Sequence, residues 1–133
     1  MADSLSNILD ENKLTLSALK GLVDNSFDSI LITDSSAYGK ILFANKAFKA
    51  LTGYSPAEVV GKTPRILQGT ATDKKVLDRL RKSLTDGKRF EGRAINYKKN
   101  GTPFIMHWRV VPVNVGKNTK VWIAIQREGS AVE

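Results

Sequence analysis

Gly61-Lys62-Thr63-Pro64-Arg65-Ile66-Leu67-Gln68-Gly69 is the stretch from which the rest of this chain is read. A glycine stands at each end. Between them a guanidinium and a carboxamide lie three residues apart among apolar neighbours. Three residues is close to one helical turn, so Arg65 and Gln68 can look the same way from a short helix. Arginine offers a planar fork matched to phosphate, and glutamine both donates and accepts. The segment suits the wall of a site for a polar, phosphorylated ligand. It also reads as a capped surface turn with a solvated arginine, and the flanking chain decides between the two.

Downstream, Thr72 or Asp73 caps a helix that ends before Asp86-Gly87, with Val76, Leu77, Leu80 and Leu84 as its buried stripe. Arg81 follows Leu77 by four residues, at the edge of that stripe, where it can bend inward. The last third reads as three strands. In residues 92–99, Gly92, Ala94 and Asn96 share a face; Asn100-Gly101 is a hairpin turn. In residues 104–113, Phe104, Met106, Trp108 and Val110 share one face, and Ile105, His107, Arg109 and Val111 the other. In residues 118–126, Trp122, Ala124 and Gln126 are in phase.

Upstream, Ser29 to Thr33 and Ile41 to Ala44 read as two strands of a hairpin, joined through Asp34-Ser35-Ser36. Asn45 caps a helix through Leu51, stopped at Gly53. Ser55-Pro56-Ala57-Glu58 has the form of a capping box with proline at the first helical position. Residues 4–23 read as a helix. Leu5, Leu9, Asn12, Leu16, Leu19 and Val23 form a three-four seam with one polar member, a pattern that sets register in two-stranded coils. A single amphipathic helix lying across the domain's own sheet would show the same spacing. The expected architecture is α+β: a five-stranded antiparallel sheet with helices on one face.

The 133 residues fit one domain, and 41% hydrophobic against 26% charged residues gives a real core. With no cysteine, disulfides, thiolate metal sites and cysteine nucleophiles are excluded; the lone His107 excludes a multi-histidine metal site. The net charge of +8 is spread in pairs such as Lys74-Lys75 and Lys98-Lys99, without a recognition-helix pattern, so specific nucleic-acid binding is not expected. No apolar run is long enough to span a membrane, and the N-terminus lacks a signal core, so a cytoplasmic address is expected.

This order of elements, together with the nonapeptide, resembles the PAS fold and, within it, the light-oxygen-voltage (LOV) flavin photosensors. The resemblance covers roughly residues 25–130, with residues 1–24 as an N-terminal helix and 131–133 as a tail. It rests on Leu51-Thr52-Gly53-Tyr54-Ser55, the nonapeptide, Asn96-Tyr97-Lys98-Lys99-Asn100-Gly101 and Ile125-Gln126. LOV domains carry Gly-Arg-Asn-Cys-Arg-Phe-Leu-Gln-Gly at the nonapeptide, and the spacing from Arg65 to Arg81 and Asn96 matches.

The resemblance implies noncovalent flavin mononucleotide (FMN). It casts Arg65 and Arg81 as guanidiniums on the phosphate, Gln68 as a ribityl or phosphate contact, Asn96 at the pyrimidine edge, and Gln126 facing ring N5 and O4. Leu31, Leu67, Val110 and Ala124 are expected as apolar walls, as a flavin's faces require. Glu58 and Lys99 resemble a surface ion pair of the family.

Three departures bear on function. Pro64 replaces the cysteine that attacks the flavin in photoactive LOV domains, so no cysteinyl adduct is expected. Thr63 replaces an asparagine at the ribityl chain, and Met106 replaces a second asparagine at the pyrimidine edge. The two lost hydrogen bonds together cost about 1–3 kcal/mol. Trp108 stands where the family often has phenylalanine and is the nearest expected electron donor, with Tyr97 and Trp122 further off. The expected function is a nonenzymatic sensory module signalling through flavin redox state or photoreduction, dimeric through residues 4–23, with an output partner the sequence does not name. The alternative is a cofactor-free PAS module that serves dimerisation. Haem is disfavoured, because His107 lies on the strand face opposite Met106 and Trp108.

Overall fold

The computed structural model describes residues 13–130. Helix α1 (Lys13–Asp24) leads into strands β1 (Ser29–Asp34) and β2 (Ile41–Ala44). Two short helices follow, α2 (Lys46–Thr52) and α3 (Pro56–Val59), then a 3-10 turn (Pro64–Leu67) and the longer α4 (Lys74–Thr85). Strands β3 (Phe90–Tyr97), β4 (Pro103–Asn114) and β5 (Lys120–Glu128) complete the chain. All strand pairs are antiparallel, in the order β2-β1-β5-β4-β3, so the last strand in sequence lies at the centre of the sheet.

Register builds one apolar face. Leu31 pairs with Ala124, Ala124 with Val110, and Val110 with Phe90, a row of four side chains pointing to the same side. The next row is Ser29, Gln126, Trp108 and Gly92. Phe48 of α2, Val59 of α3 and Leu67 of the 3-10 turn close over this face and are all but fully buried. Burial at this level is worth about 1.5–3 kcal/mol for each large apolar side chain.

The helix ends follow their local chemistry. Asn45 accepts a bond from the Phe48 N–H, and Gly53 closes α2 in the left-handed region at φ 83°. Asn45 does more than cap. Its Oδ1 also accepts from the Ile30 N–H at 2.8 Å, and its Nδ2 donates to the carbonyls of Val23 at 2.6 Å and Asp28 at 3.0 Å. One buried amide thereby ties α1, β1 and α2 together. The capping box at Ser55 forms only by half. Ser55 accepts from the Glu58 N–H, but the Glu58 carboxylate turns outward to Lys99 Nζ, at 2.6 and 2.9 Å. That pair is exposed and solvent-screened, so it adds little to stability.

The α4 stripe departs from expectation. Asp73 caps the helix and Val76, Leu77, Leu80 and Leu84 do share a face, but none is fully buried. Leu77, Leu80 and Leu84 border a cavity between α4 and the sheet. The expected N-terminal seam is described only in its last members: Val23 is buried and Leu19 is exposed. Leu5, Leu9 and Asn12 lie outside the described residues, as does the Leu16 side chain. Leu22 and Phe27 at the end of α1 also stand in solvent. Among the described residues no helix is long and apolar enough to cross a membrane.

Candidate functional site

The cavity between the helices and the inner sheet face has a volume of about 680 Å³. That lies within the ~300–1,000 Å³ common to small-molecule and cofactor sites. Of the residues singled out by sequence, Leu31, Arg65, Leu67, Gln68, Arg81, Asn96, Met106, Trp108, Val110, Ala124 and Gln126 all border it. Thr63 does not. It occupies the residue before the 3-10 turn in extended conformation, and its side chain makes no capping bond. Pro64, which begins the turn, does face the cavity.

Why the chain converges here is local. The residue before a proline is held extended, and proline at the first helical position, having no N–H, starts a turn without leaving one unpaired. The turn lasts four residues, so Leu67 goes into the core while Arg65 stays at the rim. Gly61, at φ 90°, reverses the chain before it. Gly69 has a different reason. A Cβ there would stand 2.3 Å from the Tyr97 ring. Tyr97 is thereby occupied outside the cavity, its hydroxyl accepting from the Ala71 N–H at 3.0 Å, and it is not among the lining residues. As an electron donor beside a cavity ligand it drops out, whereas Trp108 and Trp122 both line the cavity.

Two buried amides give the inner wall its chemistry. Ser29 Oγ donates to Gln126 Oε1 at 2.9 Å, and among the described residues the Gln126 Nε2 donors have no partner. Asn96 Nδ2 donates to the Met106 thioether at 3.3 Å, and among the described residues Asn96 Oδ1 has none. Both residues are buried. Buried polar groups are nearly always paired, so a free donor and a free acceptor on one cavity wall call for a complementary ligand edge. The flanking surface is apolar and partly aromatic: Trp108 packs against Phe90 with ring centroids 5.2 Å apart.

The mouth is basic. Arg65, Lys74, Arg81 and Lys120 border it, opposed by the single carboxylate of Asp78, which lies 3.8 Å from Arg81. Tyr38, from the β1–β2 loop, sits under the Arg65 guanidinium at 4.4 Å and within 5.5 Å of Arg81. Sequence reasoning did not find Tyr38, Lys74 or Lys120, since a loop tyrosine and scattered lysines carry no periodic signal. Helical spacing had flagged Leu77, Leu80 and Leu84 only as core.

His107 lies on the outer sheet face, its Nε2 2.8 Å from Glu91 Oε2. His107 first, and then Arg109, hold the Glu91 carboxyl below its ordinary value. No imidazole therefore faces the cavity. At the end of β1, Asp34 is held below its ordinary value by the Ser36 hydroxyl and the Lys40 N–H.

A family model described as PAS domain matches residues 28–130. Phototropin-2 from Oryza sativa subsp. japonica is 36% identical over 112 residues, which is 84% of this chain and 12% of that protein. The LOV domain of an Erythrobacter litoralis blue-light activated histidine kinase superposes with a TM-score of 0.70 at 31% identity, covering 76% of this chain and 94% of that one. A light-oxygen-voltage domain studied with a flavin analogue superposes with a TM-score of 0.75 at 29% identity, covering 92% and 88%. The chain spans about a tenth of the length of the rice phototropins it matches.

Proposed function

The chain belongs to the PAS domain family, as a domain of the light-oxygen-voltage type, and on that premise we propose that it is a sensory module holding FMN noncovalently in the 680 Å³ cavity. The observation that carries this reading is the pair of unpartnered amide atoms on the inner wall. A flavin's pyrimidine edge offers both N–H and C=O groups. Asn96 Oδ1 accepts from the first, and Gln126 Nε2 donates to the second. Leu31, Val110 and Ala124 supply a flat apolar wall on one side, with Leu67 opposite. Arg65 and Arg81 at the rim meet the phosphate, and Gln68 the chain that leads to it. Thr63, at the turn's start, is assigned no contact.

A bound flavin supplies absorption of blue light and electron transfer at its ring. Everything else falls to the chain. Pro64 excludes water from that part of the wall and has no sulfur to offer, and with no cysteine in the chain no cysteinyl bond to the ring forms. Trp108 would serve as electron donor, and Trp122, which also borders the cavity, is the second candidate. Gln126 reports the outcome. Gln126 would hold the ring edge through either half of its amide, donating from Nε2 or accepting at Oε1, according to what that edge presents. The Ser29 hydroxyl tolerates both orientations, because it can donate to Oε1 or accept from Nε2. Ser29 begins β1, and its neighbour Asp28 is bound to Asn45 and to Arg127 of β5. The change therefore has a route to the α1 junction and to the end of β5.

The module performs no catalysis of its own. We place its self-association at the N-terminal helix, residues 4–23, where Leu19 and Leu22 are exposed. Light scattering on a chain beginning near Asp24 checks this, and a shortened chain that is still dimeric refutes it.

Denaturing the purified protein and chromatographing the supernatant tests the flavin. Released FMN and a three-peaked blue absorption band are expected; a supernatant without flavin after incubation with FMN sinks the reading. Blue light is expected to leave no dark-reversible conversion to a single near-ultraviolet peak, and such a conversion would contradict the no-adduct mechanism.

A further inference from the structure

Tyr38 stands between two guanidiniums for which the fold gives no structural reason. Arg65 comes from the 3-10 turn, Arg81 from α4, and Tyr38 from the β1–β2 loop, so three separate elements converge on one ring. Among the described residues Arg65 has no carboxylate partner. That of Arg81 is Asp78 at 3.8 Å, with both side chains well exposed. Two cations brought to one point repel each other, and solvated arginines would ordinarily spread apart. The negative face of an aromatic ring offsets that repulsion.

The loop that carries the ring is held. The Asp34 carboxylate accepts from the Ser36 and Lys40 N–H groups, at 3.1 and 2.8 Å, and from the Ser36 hydroxyl. Gly39 closes the turn at φ 72°, packed so tightly on Thr33 that a Cβ would come within 2.9 Å of its hydroxyl oxygen. Tyr38 is half exposed, so its burial does not explain so firm a mount. Lys74 and Lys120 border the same mouth.

We propose that Tyr38 is a specificity-determining positioning residue, whose ring keeps Arg65 and Arg81 converged as a preformed clamp for the phosphate monoester of the ligand. This rests on the FMN reading above and adds to it a residue outside every motif read from sequence. Pre-organising the two cations removes the ordering and repulsion that a phosphate would otherwise have to overcome on entry. The benefit goes only to a phosphorylated ligand, because riboflavin presents nothing to the clamp.

The test measures dissociation constants for FMN and for riboflavin by flavin fluorescence, and takes their ratio as the readout. It uses the full chain, Tyr38→Ala, Tyr38→Phe, Arg65→Ala/Arg81→Ala, and that double variant with Tyr38→Ala added. Tyr38→Ala is expected to lower the preference for FMN by about five- to thirtyfold. Tyr38→Phe keeps the ring face and is expected to hold the preference within about twofold. Without the two arginines, Tyr38→Ala is expected to leave the ratio unchanged. An unchanged ratio in Tyr38→Ala, with FMN still preferred by the parent chain, overturns the role of Tyr38 and leaves the flavin reading standing. Equal losses in Tyr38→Ala and Tyr38→Phe assign the effect to the hydroxyl and overturn the ring's role. A parent chain that binds neither flavin overturns the FMN reading itself. Tyr38→Ala losing FMN and riboflavin in equal proportion marks a merely structural residue and also overturns the proposal.

Discussion

Gly69→Ala isolates the packing that closes the nonapeptide. A Cβ at this position would lie 2.3, 2.6 and 3.0 Å from three atoms of the Tyr97 ring. Carbon atoms rest at about 3.5–4.0 Å, so the ring or the loop must move by more than about an ångström. Neither is free to do so. The Tyr97 hydroxyl is held by the Ala71 N–H at 3.0 Å. The loop is held by Thr72, which accepts from the Gly69 N–H at 3.0 Å and donates to the Ile95 carbonyl at 2.6 Å. Overpacking of this kind costs about 1–3 kcal/mol, and one broken hydrogen bond adds about 0.5–1.5 kcal/mol. The expected loss is therefore about 2–4 kcal/mol, read as a lower urea midpoint by circular dichroism at constant slope. Tyr97→Ala removes the obstacle, and in that background Gly69→Ala is expected to cost less than about 0.5 kcal/mol. Gly61→Ala is the control: nothing lies within 4 Å of a Cβ there, but φ is +90°, so its cost of about 1–2 kcal/mol is expected to be the same with or without Tyr97. A cost for Gly69→Ala that is likewise independent of Tyr97 would refute the argument.

Three further expectations follow from single sites. Asn45→Ala removes four side-chain hydrogen bonds at once and leaves the Ile30 N–H and the Asp28 carbonyl without that partner, and should destabilise the domain by about 2–4 kcal/mol, seen as a urea midpoint shift; a loss under about 1 kcal/mol would remove Asn45 as the tie between α1, β1 and α2. Trp108→Phe should brighten a bound flavin and slow its photoreduction, and unchanged fluorescence and rate would take Trp108 out of the mechanism. The Asp34 carboxyl is held below its ordinary value near 3.8, chiefly by the Ser36 hydroxyl; a depressed acid contributes above its unfolded value and loses that contribution as pH falls through the folded one. The β1–β2 turn should therefore hold from neutral pH down to about 4 and loosen below it, measurable by amide exchange at Gly39 and Lys40. Asp34→Asn should abolish that pH dependence, and an identical acid profile in the variant would show that another group governs it.

The strands were legible because each has one wet and one dry face. Phe104, Met106, Trp108 and Val110 alternate with Ile105, His107, Arg109 and Val111, and alternation of that kind survives any topology. The order of the strands was not legible. Pattern assigns a face but not a neighbour, and placing β5 at the centre depends on long-range pairing with both β1 and β4. The helix ends could be read from Asn45, Gly53 and Ser55, where the chemistry acts within four residues. Glu58 met the expectation drawn from the resemblance and not the one drawn from its neighbours: it pairs with Lys99, forty-one residues away, and leaves the capping box half formed.

The site divides along the same line. Residues fixed by a strand face or by the nonapeptide could be placed in advance, and they border one cavity. Thr63 could not, because one step before the 3-10 turn decides whether a side chain looks in or out. The free atoms that give the cavity its chemistry were beyond sequence altogether. Sequence shows an asparagine at 96 and a glutamine at 126; only the fold shows that Met106 takes the Asn96 donor and Ser29 satisfies the Gln126 acceptor. Those two bonds fix which halves of the amides remain for a ligand. Met106 thus has a role that its loss of an asparagine did not suggest. Its sulfur accepts from Asn96 Nδ2, so the Asn96 carbonyl oxygen is spared for another donor, where an asparagine at 106 would add a second amide to the same wall.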